Sequence, residues 1–203
     1  MHVGFDRLKR IGTAGGVRCL GLGKAMIATR RLVLRPWSHE DLPALDAILG
    51  DANVMEFSER GPLGKDDQIA WLDRAVAPRE PEALLGTLAI AHRTDGRVIG
   101  YISLDRDLER VSHHESELGF RLAQPAWGTG YATEAALAIL DAAKALPGIT
   151  HVVALVDPHN HRSLNVLKKI GMTHERDILL PGYDYPDHVY VRALSGHSKE
   201  PSP

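Results

Sequence analysis

The run Trp127-Gly128-Thr129-Gly130-Tyr131-Ala132-Thr133-Glu134 sets two glycines and two hydroxyl side chains just ahead of an Ala-rich helical pattern. Glycines at such a junction let the backbone turn tightly and present N–H groups that no Cβ obstructs. At a helix N-terminus those groups carry roughly half a positive charge from the aligned peptide dipoles. The chemistry is anion binding, and a phosphate is the natural guest. A second polar group, Asn160-His161-Arg162-Ser163, opens another helical pattern that closes at Gly171. Ahead of both stands Glu117, a carboxylate able to act as a base directly or through water, with Glu115, His113 and His114 nearby.

The elements that must position these residues follow from pattern. Glu115 to Leu122 reads as a strand leading into the glycines, and Tyr131 to Leu146 as the helix behind them, stopped by Pro147-Gly148. Thr150 to Val156 is β-branched and continuous, as a strand buried on both faces should be. Asn160 can cap a helix from His161 to Ile170, with Gly171 in the left-handed closing position. Upstream, Arg31 to Arg35 alternates like a half-buried strand until Pro36. Ser38 and Asp41 are spaced as a capping box for a helix bearing Leu42, Leu45 and Leu49 on one face. A second helix after Gly64 has Ile69, Leu72 and Val76 as its apolar stripe. Leu84 to Ala91 and Arg97 to Leu104 form a hairpin through Thr94-Asp95-Gly96. Strands near Thr173 to Ile178 and Val189 to Leu194 flank the loop from Leu180 to His188. The order β-α-α-β-β-β-α-β-α-β-β specifies a mixed sheet with helices on both faces, an α/β sandwich.

Composition sets the bounds. With 203 residues, 44% hydrophobic and 25% charged, the chain suits one globular domain. A net charge of −2 argues against nucleic acid and anionic lipid as partners, and no apolar run is long enough for a membrane span. The single cysteine, Cys19, suits a reducing cytoplasm. Residues 1–28 contain six glycines, five basic residues and one acid, and they read as a disordered extension. The ordered domain is expected over 29–194, with a disordered tail over 195–203. Among eleven histidines, the pairs His113-His114 and His159-x-His161 lack the partner spacing of a zinc site, so no metal is expected.

A dinucleotide-binding turn is excluded by context, because Gly128-x-Gly130 lies past the middle of the chain and behind an antiparallel hairpin. No Gly-Lys-Ser/Thr follows, which excludes an NTPase loop. The glycine run together with Asn160-His-Arg-Ser163 and Leu167-Lys-Lys-Ile-Gly171-Met172 closely resembles the GNAT acetyltransferase superfamily. Thr29-Arg-Arg-Leu-Val-Leu-Arg-Pro36, Gly96-Arg-Val-Ile-Gly100 and Glu117-Leu-Gly-Phe120 extend the likeness. They are similar to the branch typified by ribosomal-protein alanine N-acetyltransferases.

The resemblance implies a mostly antiparallel sheet that splays between two central parallel strands. It also implies acetyl-CoA as acyl donor, with its pyrophosphate on Gly128, Thr129, Gly130, Tyr131, Ala132 and Thr133, and Trp127 packed beneath. The pantetheine arm would pair along Phe120, Arg121 and Leu122, whose backbone N–H groups could stabilise the thioester oxyanion. Asn160 and Ser163 would reach it from the far side. Two positions depart from the family pattern: Pro125 stands where an Arg or Gln is usual, and Leu167 where many members have a proton-donating tyrosine. Ser163 is the nearest substitute acid, and Glu117 the expected base. Glu134 is accounted for by the helix dipole.

The expected activity is direct acetyl transfer to a primary amine, a protein N-terminus or a small molecule, in a ternary complex. The alternative is a non-catalytic acyl-CoA-binding sensor or interaction module. The acceptor site is expected to be shaped by 51–64 and 180–188. These segments offer Phe57, Tyr183 and Tyr185 as apolar surface, and Glu56, Glu59, Asp184 and Asp187 as partners for a cationic amine. A homodimer is compatible with the sequence.

Overall fold

The computed structural model describes residues 18–20, 24–77, 86–105, 114–180 and 182–194. Among them run nine strands: β1 (Arg18–Leu20), β2 (Lys24–Ala28), β3 (Leu32–Arg35), β4 (Gly86–His92), β5 (Val98–Asp105), β6 (Glu115–Leu122), β7 (His151–Val156), β8 (Thr173–Ile178) and β9 (Asp187–Ala193). The four α-helices are α1 (Leu42–Leu49), α2 (Lys65–Val76), α3 (Tyr131–Ala143) and α4 (His161–Lys169). One sheet orders the strands β1-β2-β3-β4-β5-β6-β7-β9-β8. All neighbours are antiparallel except β6 and β7, which run parallel because α3 carries the chain across between them.

Alternation in the strands assigns the helices to faces. On β4, Leu88 and Ile90 join the cluster packed under α3 and α4, whereas Ala89 joins Leu45, Ile48, Leu49 and Leu72 under α1 and α2. On β5, Ile102 faces the first cluster and Tyr101 the second. Val152, Val153 and Ala154 of β7 are all buried, as an internal strand requires.

Local signals explain most boundaries. Ser38 and Asp41 complete the capping box, and Asp41 also forms a bidentate pair with Arg35 at 2.7 Å to each oxygen. That box opens a single 3-10 turn (His39–Asp41) before α1 begins. The β4–β5 turn closes through His92 N–H to Arg97 O and Gly96 N–H to His92 O, both 2.9 Å.

Three differences from the sequence reading have physical causes. Ile69 on α2 is 44% exposed, and the buried face instead carries Gln68 and Leu72. Gln68 is satisfied there, donating to Leu63 O at 2.9 Å and bonding to Asp46. Within 1–28, read as a disordered extension, residues 18–20 and 24–28 form β1 and β2, which pair antiparallel. β2 pairs Ile27 with Leu34 and Ala28 with Val33, which covers the edge of β3, and Ile27 is buried in the core. The rest of the leader and the tail lie outside the described residues. Finally, α3 ends at Ala143, three residues before the expected Leu146, in a series of tight turns.

Candidate active site

β6 and β7 pair through three rungs only: Glu115 with His151, Ser116 with Val152, and Glu117 with Val153. Both strands then continue. β6 runs to Leu122 bonded on its other edge to β5, and β7 runs to Val156 bonded to β9. Beyond Glu117 and Val153 the facing edges therefore no longer pair with each other. Peptide groups on the two edges border a cleft, and an extended amide-bearing molecule entering it could bond to both as an added strand would.

The glycine run stands at the end of β6. After a 3-10 turn (Gln124–Ala126), Gly128 and Gly130 adopt φ of 72° and 83°, in the left-handed region that glycine tolerates. α3 begins at the next residue. The three residues Gly128-Thr129-Gly130 are exposed, and a Cβ built on Gly128 would meet nothing within 4 Å. The helix N-terminus is thus open to solvent behind bare backbone, the arrangement that binds a phosphate. Thr129 Oγ1 already donates to Ala126 O at 2.7 Å, and Trp127 Nε1 donates to Leu122 O at 2.8 Å. Both contacts brace the turn. Tyr131 and Ala132 pack partly buried against the core, so their contribution to a guest there is backbone.

Glu134 does more than complement the dipole. Its carboxylate accepts from Thr29 Oγ1 at 2.6 Å, Arg31 N–H at 2.8 Å and Arg31 Nε at 2.7 Å. Burial pushes this carboxyl up, but the bonds from Thr29 and Arg31 outweigh it and hold the group below the ordinary value. Arg31 in turn donates to Thr129 O at 3.0 Å and lies 4.4 Å over the Tyr131 ring. Its other guanidinium nitrogen is 3.5 Å from where a Gly130 Cβ would stand. Arg31 thereby brings a cation to the turn whose usual side-chain position holds Pro125. Sequence reading missed it, since nothing local links residues 103 positions apart.

The second polar group meets the cleft from β7. Asn160 Oδ1 accepts from Ser163 N–H at 3.1 Å, so it caps α4. Ser163 is half-buried, while Leu167 is 1% exposed within the core and offers no acid. Arg162 lies 4.3 Å over the Trp127 ring and pairs with Glu56 at 3.0 Å. The contact ties the α4 N-terminus to the glycine turn and to the segment between α1 and α2. Asp157 accepts from Tyr185 Oη and His159 N–H, each at 2.7 Å.

Along β6, alternation puts Glu117, Gly119 and Arg121 on the face covered by α1 and α2, opposite Asp105, Ser103 and Tyr101 of β5. Glu117 is half-buried on the last shared rung with β7. The backbone of Phe120, Arg121 and Leu122 borders the cleft. The Arg121 side chain projects elsewhere, into a cavity of about 470 Å³ between the sheet and the α1–α2 segment. Met55, Trp71 and Tyr101 supply apolar walls, and Arg60, Arg74 and Arg121 the basic ones. Of the residues expected to shape an acceptor site, Phe57, Tyr183 and Tyr185 do not line this cavity.

Of the histidines weighed as metal ligands in the sequence, His113 lies outside the described residues. The structure brings together His174, Asp177 and His188, with Asp177 Oδ1 at 2.7 and 2.8 Å from the two rings. Strict alternation would put residues 174 and 177 on opposite faces. A bulge between His174 and Arg176 re-aims the strand. Hydrogen bonds from His174 and His188 hold the Asp177 carboxyl below its usual range.

The geometry has counterparts among known proteins. YkkB of Bacillus subtilis, an uncharacterized protein, is 42% identical over 171 residues, spanning 83% of this chain and 96% of its own. A GNAT-family acetyltransferase from Bacillus anthracis superposes with a TM-score of 0.72 at 22% identity, covering 84% of this chain and 99% of that one. The spermidine N-acetyltransferase of Vibrio cholerae, solved with CoA and spermine, shares the fold with a TM-score of 0.65 at 16% identity, covering 82% and 98%. The model of the acetyltransferase (GNAT) domain matches residues 31–173, a span that holds the parted strands, the glycine turn and α4. With that span matched, the chain belongs to the GNAT acetyltransferase family and is an acyltransferase.

Proposed function

We propose that the protein transfers an acetyl group from acetyl-CoA to a primary amine in a ternary complex, with no acyl-enzyme intermediate. The observation that carries this reading is the parting of β6 from β7 after three rungs, directly ahead of a left-handed glycine turn at a helix N-terminus. Acetyl-CoA supplies an activated thioester, and the fit to the chain is specific. Backbone of Gly128 to Thr133 receives the pyrophosphate, with the Arg31 guanidinium beside it. The peptide N–H groups of Phe120 and Leu122, on the edge of β6 turned away from β5, hold the pantetheine arm and present donors to the thioester oxygen. Asn160 and Ser163 close the cleft from the β7 side.

Glu117 takes the proton from the acceptor amine, directly or through water. An α-amine with pKa near 8 needs only about 1.4 kcal/mol to be neutral at pH 7, so a modest base suffices. The leaving thiolate, with pKa near 8.5, needs little help from an acid, consistent with the burial of Leu167. The only cysteine of the chain, Cys19, lies ahead of the GNAT region, which supports direct transfer and a reducing, cytoplasmic setting. We assign the chain to the ribosomal-protein alanine N-acetyltransferase-like branch on its motifs. The test is free CoA release with a panel of peptide N-termini and small amines, alongside mass spectrometry of enzyme incubated with labelled acetyl-CoA. Release that depends on an amine, with no label on the protein, is the expected result. A stable acyl-enzyme would refute direct transfer.

A further inference from the structure

Resting on that acetyltransferase reading, we propose that the acceptor is an anionic amine: a primary amine on an apolar, flat body that ends in a carboxylate or a phosphate-type group. The cavity beside β6 carries Arg60, Arg74 and Arg121 against a single carboxylate, Asp67. None of the three arginines forms an ion pair with a carboxylate among the described residues. Arg121 makes only the weak contact from its Nη1 to Met55 Sδ at 2.9 Å and lies 5.9 Å from the Tyr101 ring. Arg31, Arg35 and Arg162 take carboxylate partners, and Arg93 and Arg192 donate to backbone carbonyls of Thr29 and Ile170. Three guanidinium groups line one cavity with only Asp67 as counter-charge, and an anion offsets the excess positive charge while accepting charge-assisted hydrogen bonds.

The floor between them is aromatic. Trp71 and Tyr101 lie 5.3 Å apart between centroids with their ring planes inclined by 44°, and together they offer aromatic surface to an apolar body. The orientation relative to the chemistry follows from β6. Glu117, Gly119 and Arg121 share one face. Gly119 is bare and tightly backed, since a Cβ there would stand 2.8 Å from Ser103 Oγ. A molecule whose anion is held jointly by Arg60, Arg74 and Arg121 can therefore lay its amine over Gly119, between the cleft and Glu117. One residue pair along a strand spans about 6.6 Å, the separation such an acceptor must bridge. The acidic residues of the neighbouring segment do not oppose this: Glu56 is engaged by Arg162.

The test uses matched probes, 4-(aminomethyl)benzoate, its carboxamide and its phosphonate analogue, titrated into the full chain with and without CoA. The benzoate is expected to bind about tenfold tighter than the carboxamide, or about 1.4 kcal/mol. That preference should disappear in the double variant Arg60→Gln/Arg74→Gln, whose CoA affinity stays unchanged. Comparing benzoate with phosphonate distinguishes the two anion classes. Equal binding of benzoate and carboxamide, no binding of either, or a preference that survives the double variant each overturns the proposal. The CoA titration reads the acetyltransferase reading separately: failure to bind CoA refutes that, while the probes in free enzyme still report on the cavity.

Discussion

Replacing Glu134 by glutamine tests whether the base of α3 is clamped as described. In the native protein one carboxylate oxygen accepts from Thr29 Oγ1 and Arg31 N–H, and the other from Arg31 Nε. A glutamine can keep its carbonyl at the doubly bonded position only by turning its NH₂ toward Arg31 Nε, donor against donor. One charge-assisted bond is lost and the other two become neutral, which together cost about 2 kcal/mol. For a domain of this size that lowers Tm by roughly 4–8 °C.

The pH dependence carries the sharper test. Glu134 is held below its ordinary value near 4.5 in the folded state, so its ionisation stabilises the fold above that pH. The contribution is lost as pH falls through the folded-state value. The Tm difference between native protein and Glu134→Gln should therefore be full at pH 7 and vanish at acid pH, where the native carboxyl is itself protonated. Thermal unfolding across pH, by circular dichroism, measures this. A difference that is constant with pH, or absent at pH 7, refutes the clamp.

Gly130→Glu puts bulk and negative charge where a left-handed residue faces Arg31, and calorimetry should show loss of CoA binding. Retained micromolar affinity would refute the pyrophosphate placement. Glu117→Gln should lower the acetylation rate mainly below the pKa of the acceptor amine, and an unchanged pH–rate profile removes Glu117 from the mechanism. Leu167→Tyr, at a position 1% exposed, should overpack the core by about 1–3 kcal/mol and give no gain in turnover, because a thiolate leaving group with pKa near 8.5 needs little help from an acid. A faster variant of normal stability would restore a missing acid and contradict that account.

What the sequence revealed depended on how far apart the interacting residues lie. The glycine turn, the Ser38–Asp41 box, the Asn160 cap and the β4–β5 turn are written in a few neighbouring residues, and each was legible. β6 was read with its true ends because a glycine-rich turn and a helix follow it directly. The Arg31–Glu134 clamp and the Arg162–Glu56 pair join residues more than a hundred positions apart, and no local pattern marks them. The face of α2 was misread because Gln68 looks polar, yet a pair of fixed acceptors makes its burial inexpensive. The bulge in β8 moved Asp177 to the side of two histidines, which alternation alone forbids. The charge of the cavity was the largest surprise. Acids crowd the segments nearest in sequence, whereas the arginines that face inward come from a loop, a helix and a strand.

The short ladder between β6 and β7 has a mechanical meaning as well. Six strands lie on one side of it and three on the other, and only three rungs join them. In a continuous sheet, twist and shear spread over many ladders; here the seam inside the core of the sheet carries only three rungs. The two blocks can open and close about the paired end near Glu115, because no rungs join β6 and β7 beyond Glu117 and Val153. A guest bonded to both edges would act as a splint across that seam, so the stiffness of the whole molecule should follow the concentration of its acyl donor.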